Sequence, residues 1–250
     1  MSEDSIGPGS VPDTFEEYTT GRTNARFTDW LRQRSEPNWT EATTHRFPRE
    51  LGADELDDWV FRRYLIQDYA FLETLVGTFG HAVGDAPSMA ATSRIVDFLA
   101  VLTADEHDYF DRAFDALDVP DAEIADPDVT PTTRTFQDLL ERAGREGGYA
   151  ETLAVLVPAE WIYFEWATAV SGSPPDRFYL AEWIDIHAED SFADFVEWLR
   201  SELDREGETA SPSRRDRLER HFRRTVELEV AFFESAYEST GTAQAGEERW

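Results

Sequence analysis

Apolar residues recur every three to four positions along most of the chain, and no segment alternates apolar and polar over the length of a strand. That pattern predicts helices almost throughout. A first helix covers about 23–35 (TNARFTDWLRQRS); after a break at EPNW and THRFPRELG, a long second one runs from about Asp54 to Gly80. Two more take 88–103 and 104–117. The stretch DVPDAEIADPDVTP reads as a loop before a fifth helix near Thr132, which GREGG closes. A sixth spans Tyr149 to about Val170 and is followed by SGSPPD, by helices near 176–187 and 190–205, and by a last long helix from GETASPS to about Ser239. Residues 1–22 and 240–250 are polar and rich in small residues, and read as flexible tails around one domain, 23–239. The expected architecture is a single all-α bundle.

Three of these helices break their own pattern. On the second, Phe61, Leu65, Asp68, Leu72, Leu75 and Phe79 share one face, so an acid sits in the core-facing stripe. The sixth does the same with Leu153, Leu156, Glu160, Tyr163 and Ala167, and the last with Leu218, Phe222, Thr225, Glu229, Phe232 and Ala236. An unpaired carboxylate among apolar groups costs several kcal/mol or surrenders its charge. Taken singly, each acid is best read as paired with an arginine or tyrosine in the core. Taken together, and with rings beside them, they predict a pocket whose carboxylates push one another's pKa values apart. Phe71 follows Asp68 by one turn, Tyr163 follows Glu160 by one turn, and Phe136 lies on the fifth helix. Rings flanking acids suit a flat heteroaromatic ligand with amino or ring-nitrogen groups. Pro158, two residues before Glu160 in LVPAEWIYFEW, predicts a kink there.

Composition narrows the setting. The net charge is −29, and all 23 basic residues are arginine. An acidic, lysine-free chain of this kind reads as adapted to a salt-filled, haloarchaeal-type cytoplasm, where screening tolerates the charge. The acids are spread along the whole chain, which disfavours the alternative of an acidic module for basic partners. No basic stripe exists to meet a nucleic acid. With no cysteine there is no disulfide, thiolate metal site or cysteine nucleophile. No apolar run approaches the ~20 residues of a membrane span, and MSEDSIGPGS is no signal peptide. The reading is a cytoplasmic protein with no cofactor and no bound metal.

YLIQDYAFL (64–72), LAVLVPAEWIYFEWA (153–167), FYLAEWIDIHAEDSF (178–192) and VELEVAFFESAY (226–237) follow one another in an order that resembles the TenA family. These are the thiaminase II and aminopyrimidine-hydrolase proteins of thiamine salvage, with a heme-oxygenase-like helical fold. By that resemblance Asp68 matches the aspartate that binds the aminopyrimidine, and Glu229 the glutamate that serves as acid and base. Phe71, Phe136 and Tyr163 match pocket rings, and His187 stands where a pocket tyrosine is common. Ala159 takes the place of the nucleophilic cysteine of many members, so this chain resembles the cysteine-lacking branch. That branch is associated with hydrolysis of aminomethyl-pyrimidine or its formylated relative, and it implicates the adjacent Glu160 in catalysis. The resemblance implies a homo-oligomer, a tetramer, with a small aminopyrimidine as its partner. Two alternatives remain: a non-catalytic pyrimidine-binding or regulatory homologue, and a di-iron oxidase using DEHDYF (105–110) and DIHAED (185–190).

Overall fold

The structure, a computed structural model, describes residues 11–238, except the side chains of residues 105–107. Among the described residues there is no strand. The helices are α1 Phe15–Thr19, α2 Phe27–Arg34, α3 Asn38–Thr43, α4 Arg46–Gly52, α5 Asp58–Asp85, α6 Met89–Ala116, α7 Asp121–Ala125, α8 Pro131–Arg142, α9 Tyr149–Val170, α10 Phe178–Ala188, α11 Asp190–Thr209 and α12 Pro212–Ser235.

Helix α9 is the axis, packed against α5, α10, α11 and α12. Its sequence explains that place. Every residue from Tyr149 to Ile162 is buried, so the helix has no solvent face to offer and must be covered on all sides. By length and composition α9 could also cross a membrane, with a mean hydropathy of 1.2 over its most apolar window, contrary to the expectation that no run approaches that length. Two-thirds of that window, 67%, is buried inside the bundle instead. The helix starts sharply because Gly148 holds φ at +89°, a left-handed conformation open to glycine, after a π-helical turn at Ala143–Gly147. It runs through Pro158 as one α-helix.

Several boundaries differ from the sequence expectation for identifiable reasons. The 88–103 and 104–117 segments, expected as two helices, are one helix, α6, because no proline or glycine between them breaks the ladder. Helices α3 and α4 occupy what reads as a break, since Pro37 precedes α3 as its N-cap and Pro48 falls in the first turn of α4, where proline is tolerated. The expected loop at 118–131 holds the short α7. Part of the expected N-terminal tail is ordered: α1 buries Phe15 and Tyr18, and Trp30 donates its indole N–H to the Pro12 carbonyl at 3.0 Å. Residues 1–10 and 239–250, which hold the rest of both expected tails, lie outside the described residues.

Arginine shapes the surface. Arg177 alone reaches Asp54 at 2.6 Å, Asp58 at 2.5 Å and the Leu56 carbonyl at 2.7 Å, a spread that a single ammonium cannot cover with fixed geometry. Arg200 lies 3.8 Å over the Trp161 ring while contacting Asp29 and Glu197.

Candidate active site

Asp68, Glu160 and Glu229 all line one cavity of about 200 Å³ between α5, α6, α8, α9, α10, α11 and α12. Each helix delivers its acid by its own register. On α5, Tyr64, Asp68 and Leu72 lie four apart, one above another, with Phe71 and Leu75 on the adjoining row. On α9, Ala159, Glu160 and Tyr163 line the cavity, and on α12 Glu229 and Phe232 do.

None of the three acids is paired with an arginine or histidine among the described residues. Their electrostatics follow from that lack. Burial pushes Asp68 up to about 7, with the Tyr64 hydroxyl opposing the rise. Burial first, and then the neighbouring Asp68 charge, push Glu160 up to about 8. Glu229, only 2% exposed, is raised well above the ordinary carboxylate range by burial, then by Asp68 and Glu160. The three shifts share one cause, burial without a counter-charge, and each favours the protonated carboxyl.

The rings singled out in the sequence, Phe71, Phe136 and Tyr163, line the same cavity. Phe71 and Phe136 pack with centroids 4.7 Å apart and both line the cavity. Tyr163 hydrogen-bonds through its hydroxyl to that of Tyr64 at 2.7 Å. His187 lines the cavity too; burial lowers its pKa to about 4, although its Nδ1 hydrogen bond to the Trp183 carbonyl at 2.9 Å works the other way. A neutral ring whose Nδ1–H donates to a carbonyl has Nε2 left as an acceptor.

Sequence reasoning missed Tyr64, Trp183 and Phe232. The signal for Tyr64 was its position one turn before Asp68, but a tyrosine in an apolar stripe reads as core until its partner is seen. Phe232, one turn after Glu229, approaches Phe71 at 6.3 Å. Glu165, the other acid of LVPAEWIYFEW, is not in the cavity; it accepts from Arg32 at 3.2 Å and from the Trp39 indole at 3.0 Å. Of the described residues offered for a di-iron set, Asp108 pairs with Arg112, and Asp185 and Glu189 are exposed. Among the described residues no three His, Asp or Glu converge as metal ligands, and the side chains of Asp105, Glu106 and His107 lie outside that description.

The bundle has counterparts among solved structures. A TenA homologue from P. horikoshii OT3 is similar with a TM-score of 0.75 and 23% identity, covering 85% of this chain and 99% of that one. A domain of unknown function with a heme oxygenase-like fold, from Shewanella denitrificans OS217, reaches 0.64 at 12% identity, with 86% of this chain and 93% of that one covered. The architecture is thus heme oxygenase-like. The sequence matches the TENA/THI-4/PQQC family over residues 32–239, and the chain belongs to that family. Among its relatives, the aminopyrimidine aminohydrolase of Halalkalibacterium halodurans is 24% identical over 212 residues, which cover 83% of this chain and 93% of the relative. The protein of the same name from Bacillus subtilis (strain 168) is 23% identical over 217 residues, 86% of this chain and 92% of the relative.

Proposed function

We propose that this protein is a thiamine-salvage hydrolase that acts on a 4-amino-2-methylpyrimidine carrying an aminomethyl or formylaminomethyl group. The observation that carries the reading is the meeting of three uncompensated carboxyl groups, from α5, α9 and α12, in one ring-lined cavity. The names of the curated relatives, aminopyrimidine aminohydrolases, support the same substrate class.

Asp68 binds the pyrimidine. A carboxyl poised near 7 presents a donor and an acceptor side by side, the pair that a ring nitrogen and its adjacent amino group require. Phe71 and Phe136 stack on the ring, and Tyr163 borders it. Water then adds to the exocyclic methylene carbon: the C–O bond forms as the C–N bond breaks, and the products are the hydroxymethyl-pyrimidine with ammonia from the aminomethyl substrate or formamide from its formyl derivative. Glu229, whose burial favours the protonated carboxyl, gives its proton to the departing nitrogen. Glu160 accepts the proton that water loses, and the two carboxyls re-equilibrate through solvent after product release. Because Glu160 must be ionised to act, turnover rises as pH passes about 8. With Ala159 lining the cavity and no cysteine in the chain, water rather than a thiolate is the nucleophile.

Purified full-length protein, assayed in molar salt against aminomethyl-pyrimidine, its formyl derivative and thiamine, tests the reading. Release of hydroxymethyl-pyrimidine from the amine or its formyl derivative is the expected result. Binding with no turnover would make the protein a pyrimidine-binding homologue without catalysis. No binding of any of the three overturns the proposal.

A further inference from the structure

Helix α4 has only 7 residues, too few to persist in water without packing, and its N-cap is a histidine. His45 is 6% exposed, and both of its ring nitrogens are engaged. The Phe47 backbone N–H donates to Nδ1 at 3.1 Å. A backbone N–H can only donate, so Nδ1 carries the lone pair and the proton sits on Nε2. Nε2–H then donates to Glu234 Oε1 on α12 at 2.9 Å. One neutral tautomer satisfies both partners, and no other form of the ring does.

The same carboxylate takes a second bond from α4, from Arg46 to its Oε2 at 2.8 Å. The Arg46 guanidinium lies 3.6 Å over the ring of Tyr237, whose hydroxyl donates to Glu50 at 2.5 Å. Under these bonds lies a layer of rings. His45 stacks on Phe233 with centroids 5.6 Å apart, and Phe47 packs on Phe233 at 5.2 Å and on Tyr64 at 4.4 Å. The start of α4 thus grips the end of α12 across the rings that carry Tyr64 to its bond with Tyr163.

We propose that His45 is a proton-released clasp: on taking up a proton it turns from acceptor to donor at Nδ1, gives up the Phe47 N–H and frees α4 from the end of α12. Opposed effects decide the direction. A charged ring would strengthen its bond to Glu234, and Glu41 of α3 also favours the charge. Against it stand burial of an imidazolium, the Arg46 charge on α4, and two donors facing each other at 3.1 Å across the cap. Glu234 is half-exposed, so its attraction is screened, whereas the His45 ring is buried. Burial is the largest influence and holds His45 below the ordinary histidine range. The open form takes up its proton near the ordinary 6.5 and the closed form only at lower pH. The clasp is therefore tight above 6.5 and weakens as pH falls below it.

The test needs no substrate. Hydrogen exchange on the full-length protein in molar salt is read at the amides of 46–52 and 232–237 and corrected for the intrinsic pH dependence of exchange. Protection there should fall by up to about tenfold for each pH unit below 6.5, while the amides of α9 keep theirs. His45→Asn still offers an oxygen to the Phe47 N–H but cannot titrate, so its protection should stay flat over the same range. Glu234→Gln keeps an acceptor for Nε2–H and removes a charge that favours the protonated ring, so the onset should move to lower pH. Wild-type protection at 46–52 that ignores pH overturns the clasp, as does a fall equally steep in His45→Asn. An onset that Glu234→Gln leaves in place assigns the titration to another group and overturns it too.

Discussion

Glu151 and Glu160 lie nine positions apart on the same helix, and both are withdrawn from water, at 2% and 7% exposure. Their surroundings are opposite. Glu151 is gripped by Arg214 through two nitrogens, at 3.1 and 2.8 Å, and by Arg217 at 3.1 Å. Burial pushes its pKa up, but those guanidinium groups outweigh burial and hold it below the ordinary range. Glu160 has no such partner, and burial with the Asp68 charge pushes it to about 8. One helix therefore carries a buried acid that is structural and another that is left chemically unsettled. Position in an apolar stripe does not separate the two; the presence of an arginine across the interface does. A fold that could bring arginine to Glu151 and Glu165 leaves three acids around one cavity unpaired, and the destabilisation that follows is the sign of a site.

The contrast can be broken experimentally, and the largest effect belongs to the unpaired group that must move a proton. Glu229→Gln keeps shape and removes the acid, and kcat for aminomethyl-pyrimidine should fall about 10²–10⁴-fold; a variant turning over at the wild-type rate would remove Glu229 from the chemistry. On the paired side, Arg214→Ala leaves Glu151 buried with half its clamp, and should lower unfolding free energy by about 2–4 kcal/mol in denaturant titrations. The same measurement on Glu160→Gln should show the reverse tendency, and its pH dependence carries the sign. In the folded protein Glu160 titrates near 8 and in the unfolded chain near its ordinary 4.5, so the unfolded state releases its proton first. The stability associated with this group is complete below about 4.5 and is lost as pH rises towards 8. Glu160→Gln should therefore gain on wild type by roughly 3 kcal/mol between pH 5 and 8; a constant gap would mean that Glu160 is not raised.

Smaller effects sharpen the comparison. Tyr64→Phe deletes the hydroxyl that opposes the rise of Asp68, so the pH profile of pyrimidine affinity should move upward by about half a unit. Arg32→Ala should cost less than about 1 kcal/mol, because the pair with Glu165 is part-exposed and the Trp39 indole still donates to that carboxylate.

Much of this was legible in the chain itself. The bounds of helix α9 were legible because glycine stands before it and SGSPPD after it; its place at the centre follows from its burial. The three site acids were legible as interruptions of stripes whose register is local to one helix. What was not legible depends on which helices meet. The arginines that claim Glu151 and Glu165 come from α12 and α2, far off in sequence, so the stripe could single out Glu160 but could not show which acids of α9 find a guanidinium partner. The Tyr64–Tyr163 bond joins α5 to α9, and the α6–α11 wall of the cavity is made by two helices whose own patterns look like ordinary core. The short helices α3 and α4 were hidden by prolines that sit at helix starts.

Ala159 is 6% exposed, and its methyl group borders the cavity next to Glu160. Since the chain contains no sulfhydryl group anywhere, a single thiol introduced at that methyl would be unique in the molecule. A small environment-sensitive dye or a trifluoromethyl tag could then be attached inside the chamber alone, and its signal would report occupancy by fluorescence or fluorine resonance without background from the rest of the protein.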